Sequence, residues 1–332
     1  MPSVTDSTTK LIDTPKVLIC VFCIIILISI IIYIQTEQLP NQNQQDNQKI
    51  GIKYLNEVPK KVPQKHFIIK NQTITLSDIF ISVKTTDKFL SSRVNLLIKT
   101  WFQLVKDQTW FFTDADNDQY YELTSGHLVN TNCPQSHNRK SLCCKMSVEL
   151  DSYIKSNKKW FCHFDDDNYV NAIQLLSTLQ KYSPLNEWYL GKKSVPVPME
   201  LHKPKKQLRK AKKLYWFATG GAGFCMSKAL VLKMATIISG GKFMTIGNKL
   251  RAPDDVTIGY IVENLLNIRL TEIEKFHSHL ETLPSFTKEY IRKQISFSYD
   301  LNRDESNVLN IDGFDIENDP TRFMSLHCFL FP

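Results

Sequence analysis

The segment Trp160–Asn171, WFCHFDDDNYVN, constrains the fold of this 332-residue chain more than any other. An aromatic run typical of a buried strand stops on three consecutive carboxylates, Asp165, Asp166 and Asp167. Strands of this kind are apolar because both faces are covered, as in a parallel α/β sheet. Ligands in open sheets of that class sit just beyond the carboxyl ends of the strands. Three adjacent anions repel one another, so something must offset their charge. A hard divalent cation bridged to a phosphate does so, because Mg²⁺ and Mn²⁺ prefer carboxylate, water and phosphate oxygens. The competing reading is an acidic turn on a solvated loop. The rest of the chain decides between them.

The pattern around this segment alternates. Asp78–Val83 reads as a first strand, and Ser91–Gln103, with Val94, Leu96, Leu97 and Trp101 on one broad face, as a helix. Trp110–Thr113 is a second strand, Leu142–Ile154 a helix, Lys159–Phe164 the strand that delivers the carboxylates, Ala172–Leu179 a helix and Trp188–Gly191 a strand. This order predicts an α/β fold, a mostly parallel, doubly wound sheet with helices on both faces. The C-terminal segment from Ser296 mixes short apolar pieces with Asp and Asn and reads as irregular β structure.

The N-terminus carries a different signal. Val17–Ile34 is eighteen residues without a charge, and as a helix it spans roughly 27 Å, about one hydrocarbon core. The sequence after it is a poor cleavage site, so an uncleaved signal anchor is expected. Lys10 and Lys16 precede the span and Glu37 follows it, a bias toward a cytosolic N-terminus. Residues 1–16 are then a cytosolic tail, 17–34 the transmembrane anchor, 35–77 a disordered luminal stem and 78–332 the folded domain. Six cysteines lie beyond the anchor, Cys133, Cys143, Cys144, Cys162, Cys225 and Cys328. An even number in an exported domain points to disulfides, with fifteen possible pairings. Asn71-Gln72-Thr73 is an acceptor sequon if this region is luminal. The formal charge of +8 is spread along the chain apart from one basic run and does not point to nucleic acid. That run holds Lys203, Lys205, Lys206, Arg209, Lys210, Lys212 and Lys213 and reads as a solvated loop, or as one facing phosphate or an acceptor.

Two further features stand at element ends. Ala218–Gly223, ATGGAG, packs three glycines into a turn that lets backbone approach a ligand, without the spacing of a dinucleotide site or a P-loop. Pro253-Asp254-Asp255 opens a helix where negative charge is favoured, and Phe276-His277-Ser278-His279 follows it. Taken singly these are helix-start acids and ordinary histidines. Taken together they describe a metal held by carboxylate and imidazole, open to a diphosphate, with a separate carboxylate to remove a proton from an incoming hydroxyl.

These residues carry a family resemblance. The chain resembles the Fringe glycosyltransferases, within the wider β1,3-glycosyltransferase family, from about Asp78 to Pro332. The resemblance rests on VKTTDKF (83–89), Arg93, FFTDADND (111–118), CKMSVEL (144–150), WFCHFDDDNYVN, WFATGGAGFC (216–225), APDDVTIGYIVE (252–263), FHSHLE (276–281) and DPTRFMSLHC (319–328). It implies a GT-A fold and a Golgi type II membrane protein with its catalytic domain in the lumen. The activity implied is inverting, Mn²⁺-dependent transfer of N-acetylglucosamine from UDP-N-acetylglucosamine to O-linked fucose on EGF-like repeats of Notch-type receptors. By the same resemblance Asp255 matches the catalytic base, Arg93 and Asp166 hold the nucleotide sugar, and Asp167 and His279 are metal ligands. Cys133–Cys144 and Cys162–Cys225 match two family disulfides. A third family bridge lacks its partner beyond Cys328, so Cys143 and Cys328 are either free or paired with each other. Asp165 is given no role. The alternatives are a related β1,3-galactosyl- or glucosyltransferase with another O-glycan acceptor, and a catalytically silent luminal glycan-binding protein.

Overall fold

The computed structural model describes residues 73–200, 214–302 and 305–332. The apolar run 17–34, the polar stretch behind it, the Asn71 sequon and the basic residues from Lys203 to Lys213 lie outside the described residues. Packing begins ahead of residue 78. Ile74 is buried, and its carbonyl accepts a hydrogen bond from Gln180 Nε2 at 2.8 Å.

The strands in chain order are β1 (Ile79–Lys84), β2 (Thr109–Thr113), β3 (Leu128–Asn130), β4 (Trp160–Asp165), β5 (Tyr169–Val170), β6 (Tyr189–Gly191), β7 (Met199–Glu200), β8 (Leu214–Tyr215), β9 (Phe224–Ser227), β10 (Leu270–Glu272) and β11 (Ser296–Phe297). Seven of them form one sheet in the order β10-β6-β9-β4-β1-β2-β3. All neighbours in it run parallel except β9, which is antiparallel to both β4 and β6. The expected mostly parallel sheet is therefore present, with one reversed strand inside it.

Alternation along the central strands divides the core in two. Ile79, Ile81 and Val83 of β1 join Trp160, Cys162 and Phe164 of β4 on one side of the sheet. That side is covered by helices α1 (Asn95–Lys99), α4 (Ala172–Leu179) and, at the C-terminus, α9 (Phe323–Leu330), through Leu97, Leu175, Leu179, Phe323 and Leu326. Phe80, Phe161 and Phe224 face the other way. They meet α3 (Arg139–Ser156), α5 (Lys228–Ile238), α6 (Lys242–Leu250) and α7 (Asp254–Gly259). The short helices α2 (Asp118–Leu123) and α8 (Lys288–Ile291) complete the order. Each fully buried aromatic or aliphatic side chain in these layers contributes about 1.5–3 kcal/mol relative to exposure.

The helices start where short polar side chains can cap them. Asn138 accepts from the amides of Lys140 and Ser141 ahead of α3, Asn171 from Gln174 ahead of α4, and Ser227 from Leu230 ahead of α5. The single helix expected over Ser91–Gln103 is broken. A π turn, Leu90–Val94, leads into α1, and a 3₁₀ turn, Trp101–Leu104, follows Thr100. The Thr100 hydroxyl donates back to the Leu96 carbonyl at 2.8 Å, and Trp101 Nε1 reaches the Asn168 carbonyl at 3.1 Å. A local side-chain bond and a tertiary contact thus override the helical pattern.

The C-terminal expectation also needs correction. β11 is only two residues long, and the chain closes on α9 rather than on irregular β structure. Asp319 accepts from the amides of Met324 and Ser325 in the first turn of α9. Arg322, at φ 65°, binds the carbonyls of Ile311 and Phe314.

Both expected disulfides are present, Cys133–Cys144 and Cys162–Cys225. Cys143 is a buried free thiol and Cys328 an exposed one, so they are not bridged to each other. Cys162 and Cys225 are register partners on β4 and β9, the antiparallel pair at the centre of the sheet. Their bridge closes a sequence separation of 63 residues. Replacing both by alanine is expected to remove about 4 kcal/mol of stability through the freed unfolded chain. Urea unfolding followed by tryptophan fluorescence measures this, and a loss below about 1 kcal/mol contradicts the chain-entropy account.

Candidate active site

β1 and β4 run parallel with Lys84 and Asp165 as register partners at their carboxyl ends. The chain then turns over Asp166, Asp167 and Asn168. Asn168 shapes this turn, because its Oδ1 accepts from the Asp165 amide at 2.9 Å. Its Nδ2 donates to the Gly221 carbonyl at 2.9 Å, which ties the carboxylate turn to the glycine turn.

The three carboxylates have three environments. Asp165 is 3.2 Å from Lys84 Nζ and 3.5 Å from His163 Nε2. Burial opposes its charge, but Lys84 and His163 hold its carboxyl well below the usual carboxylate range. Asp166 is buried, with Arg93 Nη1 2.7 Å from one oxygen and Thr85 Oγ1 donating to the other at 2.7 Å. Burial still raises its pKa, aided by Asp165 and opposed by Arg93. Asp167 lies 3.4 Å from the same Arg93 nitrogen, while its Oδ1 is buried with no hydrogen-bond partner. Burial, then Asp165 and Asp166, push Asp167 up to about 7 against the opposing effect of Arg93. The Arg93 guanidinium lies 4.0 Å from the centroid of the Phe89 ring, a cation–π contact that holds it in place.

The glycine turn is a 3₁₀ turn, Gly220–Ala222, closed by Gly223 at φ 85°. A Cβ at position 223 would fall 2.3 Å from Phe164 Cδ1, so both conformation and space require glycine there. The turn stands between two of the predicted site residues. The Gly220 amide donates to Asp255 Oδ2 at 3.2 Å. On the next residue, a Cβ at Gly221 would lie 3.7 Å from His279 Cε1. Asp255 also accepts from the Val256 amide at 2.7 Å. Burial, then the neighbouring Asp254, raise Asp255 to about 6, against those two amide bonds and Lys84. His279 is half-buried, and its carbonyl is held by Asn307 Nδ2 at 2.8 Å. His277 is fully buried, its ring between Glu281 at 3.0 Å and Gln294 at 3.1 Å.

A cavity of about 1410 Å³ opens over this floor. Arg93, Asp165, Asp166, Asp167 and His279 all line it. Four of the five residues expected in the site are therefore brought together: Arg93, Asp166, Asp167 and His279. Asp255 is not in the lining and adjoins it through the glycine turn. Among the described residues, no three His, Cys, Asp or Glu side chains are gathered into a ready metal cage.

The residues that sequence reasoning missed are buried charges. Lys84 Nζ donates to Asp254 Oδ2 at 2.6 Å and lies 3.2 Å from both Asp165 Oδ1 and His163 Nε2. Its pKa is well above the ordinary lysine value, because Asp165, Asp254 and Glu149 outweigh burial. His163 Nδ1 is 2.6 Å from Glu149, which also accepts from Ser82 at 2.7 Å. Burial and Lys84 hold His163 down, Glu149 and Asp165 raise it, and the balance lies at about 9. A second buried lysine, Lys145, donates to the Thr85 carbonyl and to Asp114. Asp114 in turn binds Thr86 Oγ1 and the Asp87 amide, which fixes the loop under the cavity. A usable signal was present: Lys145 and Glu149 share a helical face with Ser141, and Lys84 closes a strand otherwise apolar but for Ser82.

This chain is 57% identical over 258 residues to the Drosophila melanogaster protein named Fringe glycosyltransferase, a match that covers 77% of this chain. It spans 63% of that relative's own length, less than two thirds. The Danio rerio protein named β-1,3-N-acetylglucosaminyltransferase lunatic fringe is 46% identical over 262 residues, covering 79% of this chain and 70% of the relative. The Notophthalmus viridescens radical fringe of the same description is 44% identical over 260 residues, covering 78% and 66%. The family model described as Fringe-like matches residues 74–332. That match begins at buried Ile74 and takes in every strand and helix described above, and the chain belongs to the Fringe-like family.

Proposed function

We propose that the protein is a β1,3-N-acetylglucosaminyltransferase of GT-A type. It transfers the sugar from UDP-N-acetylglucosamine to fucose O-linked to EGF-like repeats, with inversion. The observation that carries this reading is the separation of two kinds of carboxylate. Asp255 stands behind the glycine turn, held by the Gly220 amide, while Asp166 and Asp167 face a cavity beside Arg93. A base set apart from the carboxylates that can hold a cation against a diphosphate is what a single displacement needs. The name of the Drosophila relative supports sugar transfer, and that of the Danio relative the sugar and the linkage.

In this mechanism Asp255 accepts the proton of the fucose hydroxyl as its oxygen attacks the anomeric carbon. The bond to UDP breaks on the opposite side, so the centre inverts without a covalent intermediate on the protein. Arg93, pinned by Phe89 and Asp166, orients the nucleotide sugar. Asp167 and His279 would hold a divalent cation, taken here as Mn²⁺. Asp167 Oδ1 fits that role, being a buried oxygen with no hydrogen-bond partner. Two protein ligands suffice, since hard cations complete their shell with phosphate and water oxygens. When bound, the metal offsets charge on the departing diphosphate.

In the same reading residues 17–34 anchor the chain in the Golgi membrane with the catalytic domain in the lumen. Two disulfides support an oxidising compartment.

Asp255→Asn is expected to lower kcat by about 10²–10⁴-fold, since a general base is lost. UDP binding measured by calorimetry stays near normal; near-normal turnover would show that Asp255 is not the base. The base form of Asp255 exists above about pH 6, so transfer should fall as pH drops through that value. Asp167→Ala should weaken Mn²⁺ and UDP binding together, and an unchanged UDP affinity in the presence of Mn²⁺ counts against its role. The function itself is tested by offering a fucosylated EGF repeat, a fucosyl glycoside and a GalNAc glycoside, each with UDP-GlcNAc, UDP-Gal and UDP-Glc. Transfer of GlcNAc to the fucosylated acceptors is expected; transfer only to GalNAc overturns the proposal.

A further inference from the structure

We infer that Lys84 is a positioning residue that joins the two halves of the reaction centre. Its ammonium ties the carboxylate end of β4, through Asp165, to the first turn of the helix that carries Asp255, through Asp254. The inference rests on the reading of Asp255 as the base. It also gives Asp165 a role, which the family resemblance left open.

The geometry is specific. Lys84 lies at the end of β1 with Asp165 as its partner in the parallel register. It is 9% exposed, and Asp254 is 4% exposed. The contacts are 3.2 Å to Asp165 and 2.6 Å to Asp254. Asp254 is separated from Lys84 by 170 residues, so the contact is purely tertiary. Both groups are buried, and an uncompensated buried charge is strongly unfavourable. Asp165 adjoins the donor carboxylates and Asp254 adjoins the base. A shift of α7 (Asp254–Gly259) away from β4 would therefore have to separate Lys84 from one of its carboxylates.

The same contact sets the field at Asp255. Lys84 lowers the pKa of Asp255 and Asp254 raises it. The amides of Gly220 and Val256 also lower it. Tyr189, Tyr215 and Cys143 also sense Asp255. Burial raises all three, and each stays protonated and neutral through the working range. After burial, Asp254 and Lys84 are the leading side-chain charges on Asp255, and they act in opposite directions.

The test compares Asp254→Asn, Lys84→Met and the double variant in the whole luminal domain, with donor and Mn²⁺ saturating. Asp254→Asn is expected to move the acid limb of the kcat profile down by about one pH unit, and Lys84→Met to move it up by about one. The double variant returns the limb close to the wild-type position. Lys84→Met should also lower kcat about tenfold or more at the optimum. Its UDP affinity should hold, because Arg93 and Thr85 still bind Asp166. A ¹³C titration of the Asp255 carboxyl in the metal-free protein reads the same shifts without turnover. If Lys84→Met does not fold, Asp254→Asn alone decides, since it leaves Lys84 paired with Asp165. Limbs that do not move, or that move the same way in both single variants, overturn the inference. Asp255→Asn is the separate control. If it keeps turnover, the base assignment fails, whereas opposite shifts would still establish the coupling in the ¹³C titration.

Discussion

A lysine taken out of water needs opposite charge around it, and Lys84 dictates where that charge stands. Its partners come from β4 and α7, and a second buried group, His163 with Glu149, packs against it from β4 and α3. Buried ion pairs are weak evidence for stability, because removing the ions from water costs several kcal/mol each. Breaking one by deleting a partner costs about 3–5 kcal/mol. This asymmetry makes the network a device for fixing relative position. The two apolar layers supply the driving force for folding, and the buried charges select one alignment of sheet and helices.

The same logic explains how three identical side chains in a row come to differ. Asp165 faces a lysine and stays ionised. Asp166 is shared between an arginine and a threonine. Asp167 takes the longer contact of that arginine and has an Oδ1 that is buried without a hydrogen-bond partner. One turn therefore presents a carboxylate paired with a lysine, one clamped by an arginine and one more weakly compensated. Neighbours, rather than residue type, assign the roles.

Much of this was legible in sequence because it is written in local patterns. Ala172–Leu179 is a helix over the residues expected, and Asn171 caps it. The strand from Trp160 stops on the carboxylates as its aromatic run predicts. Arg93, Asp166, Asp167 and His279 meet in one cavity, although their alignment in one site rested on family resemblance rather than on spacing. What stayed hidden depends on long-range contacts. The helix Lys242–Leu250 has a glycine inside it and polar residues at its end, so its signal is weak. The closing helix opens on a left-handed arginine held by distant carbonyls. Lys145 and Glu149 look like surface residues until the sheet beneath them supplies Asp114, Thr85, Ser82 and His163. The helical face shared with Ser141 marks them as inward-facing, but their partners lie far along the chain and leave no local pattern.

Cys143 sits next to a bridged cysteine on α3 but points into the core, with its sulfur 3.6 Å from the Ala252 carbonyl. Burial, and then the nearby Asp254, push its thiol up to about 11. Only about one part in ten thousand is then thiolate at pH 7. Thiol–disulfide exchange runs through the thiolate. Once α3 docks, Cys143 is chemically silent beside the bridge it could otherwise rearrange. Burial of Cys143 thereby protects the Cys133–Cys144 bridge from exchange with its nearest thiol.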